Sequence, residues 1–159
     1  MSNIIMPWIQ NISLEDINLG RHIEPGVNAM LIQIMDPPGD FPDPLPTFKF
    51  KETHQFQFLD VEETDPVPDE EMRCSPAQAA QLAGLLQRAL ANRMHVIVHC
   101  HAGVCRSGAV AEVGVMLGFD DAEAFRSPNL LVKHRMLAAL GWPYDKHEPC
   151  TINGVRFSG

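Results

Sequence analysis

Met94-His95-Val96-Ile97-Val98-His99-Cys100-His101-Ala102-Gly103-Val104-Cys105-Arg106-Ser107-Gly108 is the stretch whose reading decides the fold. Residues 94–98 have the β-branched content of a short buried strand, and Ala109 to Leu117 is almost wholly apolar and long enough for a helix. The ten residues between them therefore read as a strand-loop-helix turn. In such a turn the backbone N–H groups of the loop and of the first helical turn converge on one concavity, an anion site by geometry and by helix dipole. Cys100 is expected at its floor.

The cost of making a thiol reactive there can be sized. Lowering a cysteine pKa from about 8.5 to about 5 takes roughly 5 kcal/mol of differential stabilisation of the thiolate. A helix N-terminus supplies about 0.3–1 kcal/mol, and at most about 2. Hydrogen bonds to sulfur and a fixed cation must supply the rest, and Ser107 and Arg106 are the groups on offer. A guanidinium can also grip two oxygens of one anion at once, which an ammonium cannot.

His99-Cys100, five residues, then Arg106-Ser107 resembles the phosphate-binding loop of the cysteine-dependent protein tyrosine and dual-specificity phosphatases. Strand, spacing, arginine, serine and following helix occur together, which makes the motif specific. The resemblance extends over roughly residues 28–141, to a strand ending in an acidic residue upstream and to Ser127-Pro128-Asn129-Leu130-Leu131-Val132 downstream. It is nearest to small bacterial and phage-type members. It implies an α/β fold: a single domain over residues 1–159, with a mostly parallel central sheet flanked by helices and the phosphate loop between a strand and a helix. It implies Cys100 as nucleophile, and Arg106 with the loop residues His101, Ala102, Gly103, Val104 and Cys105 as phosphate binders. Ser107 would ease thiolate departure, and His99 would tune the thiol from beneath the loop.

The rest of the chain agrees with that class. Ala29 to Met35 reads as a buried strand ending at Asp36-Pro37-Pro38, where five prolines up to Pro46 make a stiff extended loop. Thr53 to Leu59 alternates, with His54, Phe56 and Phe58 on one face, as the next strand. Asp60 to Glu71 carries seven carboxylates and two prolines and is expected to be an exposed, solvated loop. Ser75-Pro76-Ala77-Gln78 is a capping box opening a helix to about Asn92, with a stripe of Leu82, Leu85, Leu86, Ala89 and Leu90. A short helix is expected from Asp120, and another from Ser127-Pro128 that stops at Gly141. Strands alternating with helices put the site at the carboxyl end of a strand. Residues 1–28 and the tail after Gly141 carry no clear pattern, and the methionines read as core filling.

Protonating a leaving oxygen needs an acid. The resemblance places it on the loop after the strand that precedes the capped helix, and Asp60 matches best, with Asp65 and Asp69 as alternatives. Glu112 reads as a surface or paired carboxylate, Asn129 as a helix-start residue that can also brace the loop, and His101 as a solvent-facing side chain. His95, His99, Cys100, His101 and Cys105 do not read as a metal site, because neighbouring strand residues point to opposite faces; no cofactor is expected.

The 159 residues suit one domain, and no apolar run is long enough to span a bilayer. Four cysteines, Cys74, Cys100, Cys105 and Cys150, are too few for a disulfide scaffold, so reduced thiols and a cytoplasmic location are the expectation. Twelve basic against twenty acidic side chains, a formal charge of −8, argue against nucleic acid or an anionic membrane as partner. The resemblance thus implies a phosphomonoester hydrolase acting on a phosphorylated protein or peptide. Phosphotyrosine fits, with phosphoserine and phosphothreonine as further substrates. The absence of lysine between Cys100 and Arg106 demotes phosphoinositides. Two alternatives stay open: a catalytically silent phosphate-binding module, and a sulfurtransferase or arsenate reductase built on the same loop. Cys105, in the position of the second cysteine of low-molecular-weight tyrosine phosphatases, implies a partner for a reversible disulfide with Cys100, with Cys74 as rival.

Overall fold

A computed structural model describes residues 6–142, together with the backbone of two short strands, 150–152 and 155–157. In chain order the elements are β1 (Trp8–Ile12), α1 (Leu14–Leu19), β2 (Ala29–Met35), β3 (Glu52–Gln57), a 3-10 turn (Glu70–Met72), α2 (Pro76–Ala91), β4 (His95–His99), α3 (Arg106–Leu117), β5 (Asp120–Asp121) and α4 (Leu130–Ala139). The strands β6 (Cys150–Ile152) and β7 (Val155–Phe157) pair antiparallel as a separate hairpin. The thiol of Cys150 and the outer parts of the expected 1–159 domain lie outside the described residues.

The central sheet is parallel throughout, in the order β3-β2-β4-β1-β5. Parallel strands are buried on both faces, so their sequences are apolar at consecutive positions. Met30, Ile32 and Ile34 of β2 and Val96 and Val98 of β4 face one core, while Leu31 and Ile97 face the other. The first core is the larger and is closed by α2, α3 and α4; the second is covered by α1 through Ile17 and by Leu14 and Phe50. Helices flank the sheet as expected, three on one face against one short helix on the other.

Ser75 caps α2 by accepting from the Gln78 N–H at 3.0 Å, and the Gln78 side chain accepts the Ser75 N–H at 2.9 Å. Leu82 and Leu86 of the predicted stripe are fully buried, each worth about 1.5–3 kcal/mol in removed apolar surface. The helix α3 comes close enough to β1 that a Cβ on Gly114 would meet Ile9 Cδ1 at 2.7 Å.

Several boundaries differ from the sequence reading. The helix expected at Asp120 is instead the edge strand β5, because the Asp120 N–H donates to the Pro7 carbonyl at 2.9 Å and tertiary pairing overrides local preference. The last described helix begins at Leu130, two residues after Pro128, with Asn129 as its N-cap. The strand β1 lies in the segment left unassigned. Met30, Met94 and Met136 fill the core, but Met6 and Met116 are exposed.

The acidic stretch after β3 is also more structured than a solvated loop. Arg73, 6 % exposed, donates to the carbonyls of Glu62 and Asp65 from inside it, and the half-buried Glu62 carboxylate accepts the Leu130 and Leu131 N–H groups at 3.0 and 2.9 Å. That carboxylate satisfies free donors at the start of α4 and meets its positive dipole end.

Because both halves of the capping box are made, Ser75→Ala is expected to lower stability by about 1 kcal/mol. Urea denaturation should show a lower midpoint with an unchanged slope.

Candidate active site

The loop after β4 turns back over its own first residue. Gly103 sits at φ +79°, and a Cβ there would lie 2.3 Å from the Ile12 carbonyl carbon and 2.4 Å from the Ser13 nitrogen, so only glycine lets the loop press onto the end of β1. Four of the loop carbonyls turn to donors on other elements. His101 O accepts the Leu14 N–H at 3.1 Å, Gly103 O the Asn11 side chain at 2.8 Å, Val104 O the Ser127 N–H at 3.2 Å and Cys105 O the Asn129 N–H at 3.0 Å. Amides of the same peptides are thereby free to face inward.

At the centre is Cys100, 2 % exposed. Its Sγ accepts the Gly103 N–H at 3.2 Å and lies 3.2 Å from the Ser107 Oγ. Cys105 stands at the N-cap of α3 and makes no side-chain capping hydrogen bond. The twelve-residue helix therefore aims uncapped N–H groups and its positive end at the loop.

Arg106, 4 % exposed, is the first residue of α3. Its Nη1 donates to the Phe58 carbonyl at 2.8 Å and to Asp36 Oδ1 at 2.5 Å, while its Nε is buried without a partner. A cavity of about 450 Å³ opens above, lined by Asp36, Leu59, Asp60, Val61, Cys100, His101, Ala102, Cys105 and Arg106. Arg106 thus lines the cavity while one nitrogen of its guanidinium stays buried without a partner.

The structure separates the three candidate acids. Asp60 lines the cavity, and its Oδ1 accepts the Asn129 side chain at 2.8 Å. Asp65 accepts the Glu62 N–H and Asp69 the Glu71 N–H, both within local turns of the loop. Asn129 does two things at once: its Oδ1 caps α4 on the Val132 N–H, and its amide holds Asp60 and the Val61 carbonyl. Glu112 pairs with Arg126 at 2.7 Å and stays out of the cavity. His101 is exposed at the cavity rim.

Cys105 is half-buried, and burial first, then the charge and hydrogen bonding of Asp60, push its thiol up to about 11. Burial pushes Cys74 up to about 12. Among the described residues no three His, Cys, Asp or Glu side chains are placed to hold a metal ion. Two site residues escaped the sequence reading. Asn11, 3 % exposed, ties the loop to β1 and to the Phe125 carbonyl at 3.0 Å, and Asp36 reaches Arg106 across 70 residues of chain.

His99 is fully buried beneath the loop, with Nδ1 facing the Cys100 carbonyl at 3.4 Å. Burial lowers its pKa from 6.5 to about 4, so the ring is neutral at pH 7. The unfolded ring takes up a proton below about 6.5 and the folded ring only below about 4. The unfolded state thus binds more protons between these values, and stability falls as the pH drops through that window, by up to about 3 kcal/mol. Urea titrations at steps between pH 7 and pH 4 should show this loss in the wild type and a shallower one in His99→Asn.

No protein-family model matches the chain, and no curated protein does. Among solved structures, the chain is similar to OH1 from Orf virus, described as a tyrosine phosphatase with distinct structural features and triple substrate specificity. The two are 22 % identical with a TM-score of 0.45, over 72 % of this chain and 58 % of the viral one.

Proposed function

We propose that this protein is a phosphomonoester hydrolase that works through a phosphocysteine and needs no metal. The observation that carries the reading is that Cys100, whose sulfur is hydrogen-bonded by the Gly103 N–H and paired with the Ser107 hydroxyl, lines one cavity together with Arg106 and Asp60. A silent binding module has no use for a thiol held at the floor of its anion site.

In this scheme the ester phosphate enters with its non-bridging oxygens on the loop N–H groups and the Arg106 fork. The Cys100 thiolate attacks phosphorus, forming the P–S bond as the P–O bond to the leaving group breaks. Asp60 gives its proton to the departing oxygen. Water then attacks the phosphocysteine, Asp60 takes a proton from it, and the thiolate leaves with the Ser107 hydroxyl donating to it. Catalysis is positioning plus preorganised donors aimed at the equatorial oxygens. The open cavity suits a phosphorylated protein or peptide, phosphotyrosine first. Among the described residues Arg106 is the one arginine or lysine on its wall, which gives a polyphosphorylated ligand, a nucleic acid or an anionic membrane little to bind.

Cys100→Ser should abolish hydrolysis of p-nitrophenyl phosphate while tungstate still binds, and chelators should leave the wild type unaffected. Asp60→Asn should lower the rate by roughly 10²–10⁴-fold for a poor leaving group and much less for p-nitrophenol. Activity surviving in Cys100→Ser, or a divalent-metal requirement, would rule the scheme out.

Cys105 adds a redox reading of the same loop. Peroxide converts the Cys100 thiolate to a sulfenic acid, and the Cys105 thiolate attacks that sulfur, expelling hydroxide and closing a disulfide. With its thiol at about 11, closure is slow at neutral pH and quickens about tenfold per pH unit. After brief peroxide treatment and then thiol reductant, the wild type should recover activity and Cys105→Ser much less, the difference widening with pH. Equal recovery, or a link to Cys74, would remove the role from Cys105.

A further inference from the structure

Asp60 is exposed, so burial does not fix its carboxylate over the cavity, and its place must come from the loop that carries it. That loop is fastened to the first turn of α4. The Asn129 amide donates to Asp60 Oδ1 and to the Val61 carbonyl, and the two oxygens of the Glu62 carboxylate accept the next two amides, those of Leu130 and Leu131. From within the loop, Arg73 donates to the carbonyls of Glu62 and Asp65. The Leu59 N–H, donating to the Met72 carbonyl at 2.7 Å, ties its base to the approach to α2.

The same helix start is fastened to the loop that holds Cys100. The Asn129 N–H donates to the Cys105 carbonyl at 3.0 Å and the Ser127 N–H to the Val104 carbonyl at 3.2 Å. Thiol and acid thus take their relative position from one element, the first turn of α4. Asn129 holds the acid loop through a single side-chain nitrogen, about which the loop can swing. Glu62 removes that freedom, because a carboxylate seated on two successive amides is fixed in direction as well as place, by charge-assisted bonds at the positive end of a helix.

We propose that Glu62 is a positioning residue for proton transfer: seated on the Leu130 and Leu131 amides, its carboxylate registers the acid loop against the phosphate loop and so aims Asp60 at the leaving oxygen. The proposal rests on the assignment of Asp60 as the acid given above. The Asn129 amide occupies Asp60 Oδ1 as a donor, so the proton of the neutral acid sits on Oδ2, and the loop has one oxygen to aim. A proton moves only within hydrogen-bond reach, and a displacement of about 1 Å costs up to about a hundredfold.

A cap that served stability alone would, when lost, leave kcat/KM unchanged or lower it equally for all esters. The test therefore compares kcat/KM for p-nitrophenyl phosphate and phenyl phosphate, which reads the step where the P–S bond forms and the leaving oxygen departs, alongside calorimetric titration with tungstate. Glu62→Ala should lower kcat/KM by roughly ten- to hundredfold for phenyl phosphate and little for p-nitrophenyl phosphate, with tungstate affinity unchanged. Glu62→Gln, which keeps one acceptor oxygen, should fall between wild type and Glu62→Ala, and it carries the comparison if the alanine variant does not fold. In Asp60→Asn, where no proton is left to aim, Glu62→Ala should add no further loss with phenyl phosphate. Equal losses for the two esters, weaker tungstate binding, or a loss that adds in full to that of Asp60→Asn would overturn the proposal. A wild type that hydrolyses neither ester would defeat the hydrolytic reading alone. Amide exchange at Glu62 and Asp65, whose N–H groups are bonded within the loop, then decides whether Glu62 holds it. Faster exchange in Glu62→Ala supports that role, and equal rates in the two proteins would remove it.

Discussion

A backbone loop that turns its N–H groups inward around an anion must send its C=O groups outward, and each of those carbonyls needs a donor if it is buried. In this protein the donors come from elements far apart in sequence. Leu14 and Asn11 arrive from the first strand and its following turn, Ser127 and Asn129 from the approach to α4. The placement of β1 beside β4 and of α4 beside α3 thus serves the loop as well as the core. Gly103 is the point where loop and β1 are pressed hardest together, so a methyl group there meets backbone rather than a movable side chain.

Charge is managed with the same economy. The chain is acidic overall, and among the described residues the cavity has one guanidinium in its wall, itself shared with Asp36. In the proposed scheme dipoles carry the rest of the anion-binding work: the uncapped start of α3, the loop amides and the Ser107 hydroxyl. Fixed dipoles cost no reorganisation when charge develops on the phosphoryl oxygens. A neutral His99 beneath the loop fits this scheme, since it supports the Cys100 carbonyl without adding a charge below the sulfur.

What the sequence shows follows from how local each signal is. The strands β2 and β4, the capped α2 and the turn from β4 into α3 are written in contiguous runs, and all are present. Asn11 is a buried polar residue in a strand of mixed character near one end of the chain, and nothing local tells that its amide will hold Gly103. Asp120 and Asp121 look like a helix start and become a strand only because Pro7 to Ile9 lies alongside. Asp36 sits among prolines, and its partner is 70 residues away. Asp60 could be singled out among seven carboxylates by its place after a strand, whereas the work of Glu62 as a helix cap depends on how α4 docks.

The central claim is that Cys100 carries the phosphoryl group between substrate and water. Rapid mixing with p-nitrophenyl phosphate, whose leaving group needs little protonation, a quench within the first turnovers, and mass spectrometry of the digested protein test it directly. A phosphate adduct on the Cys100 sulfur, increased in Asp60→Asn, where the attack of water on the phosphocysteine is slowed, is the result expected here. Turnover with no adduct on Cys100, or with phosphate on a histidine or carboxylate instead, would contradict it.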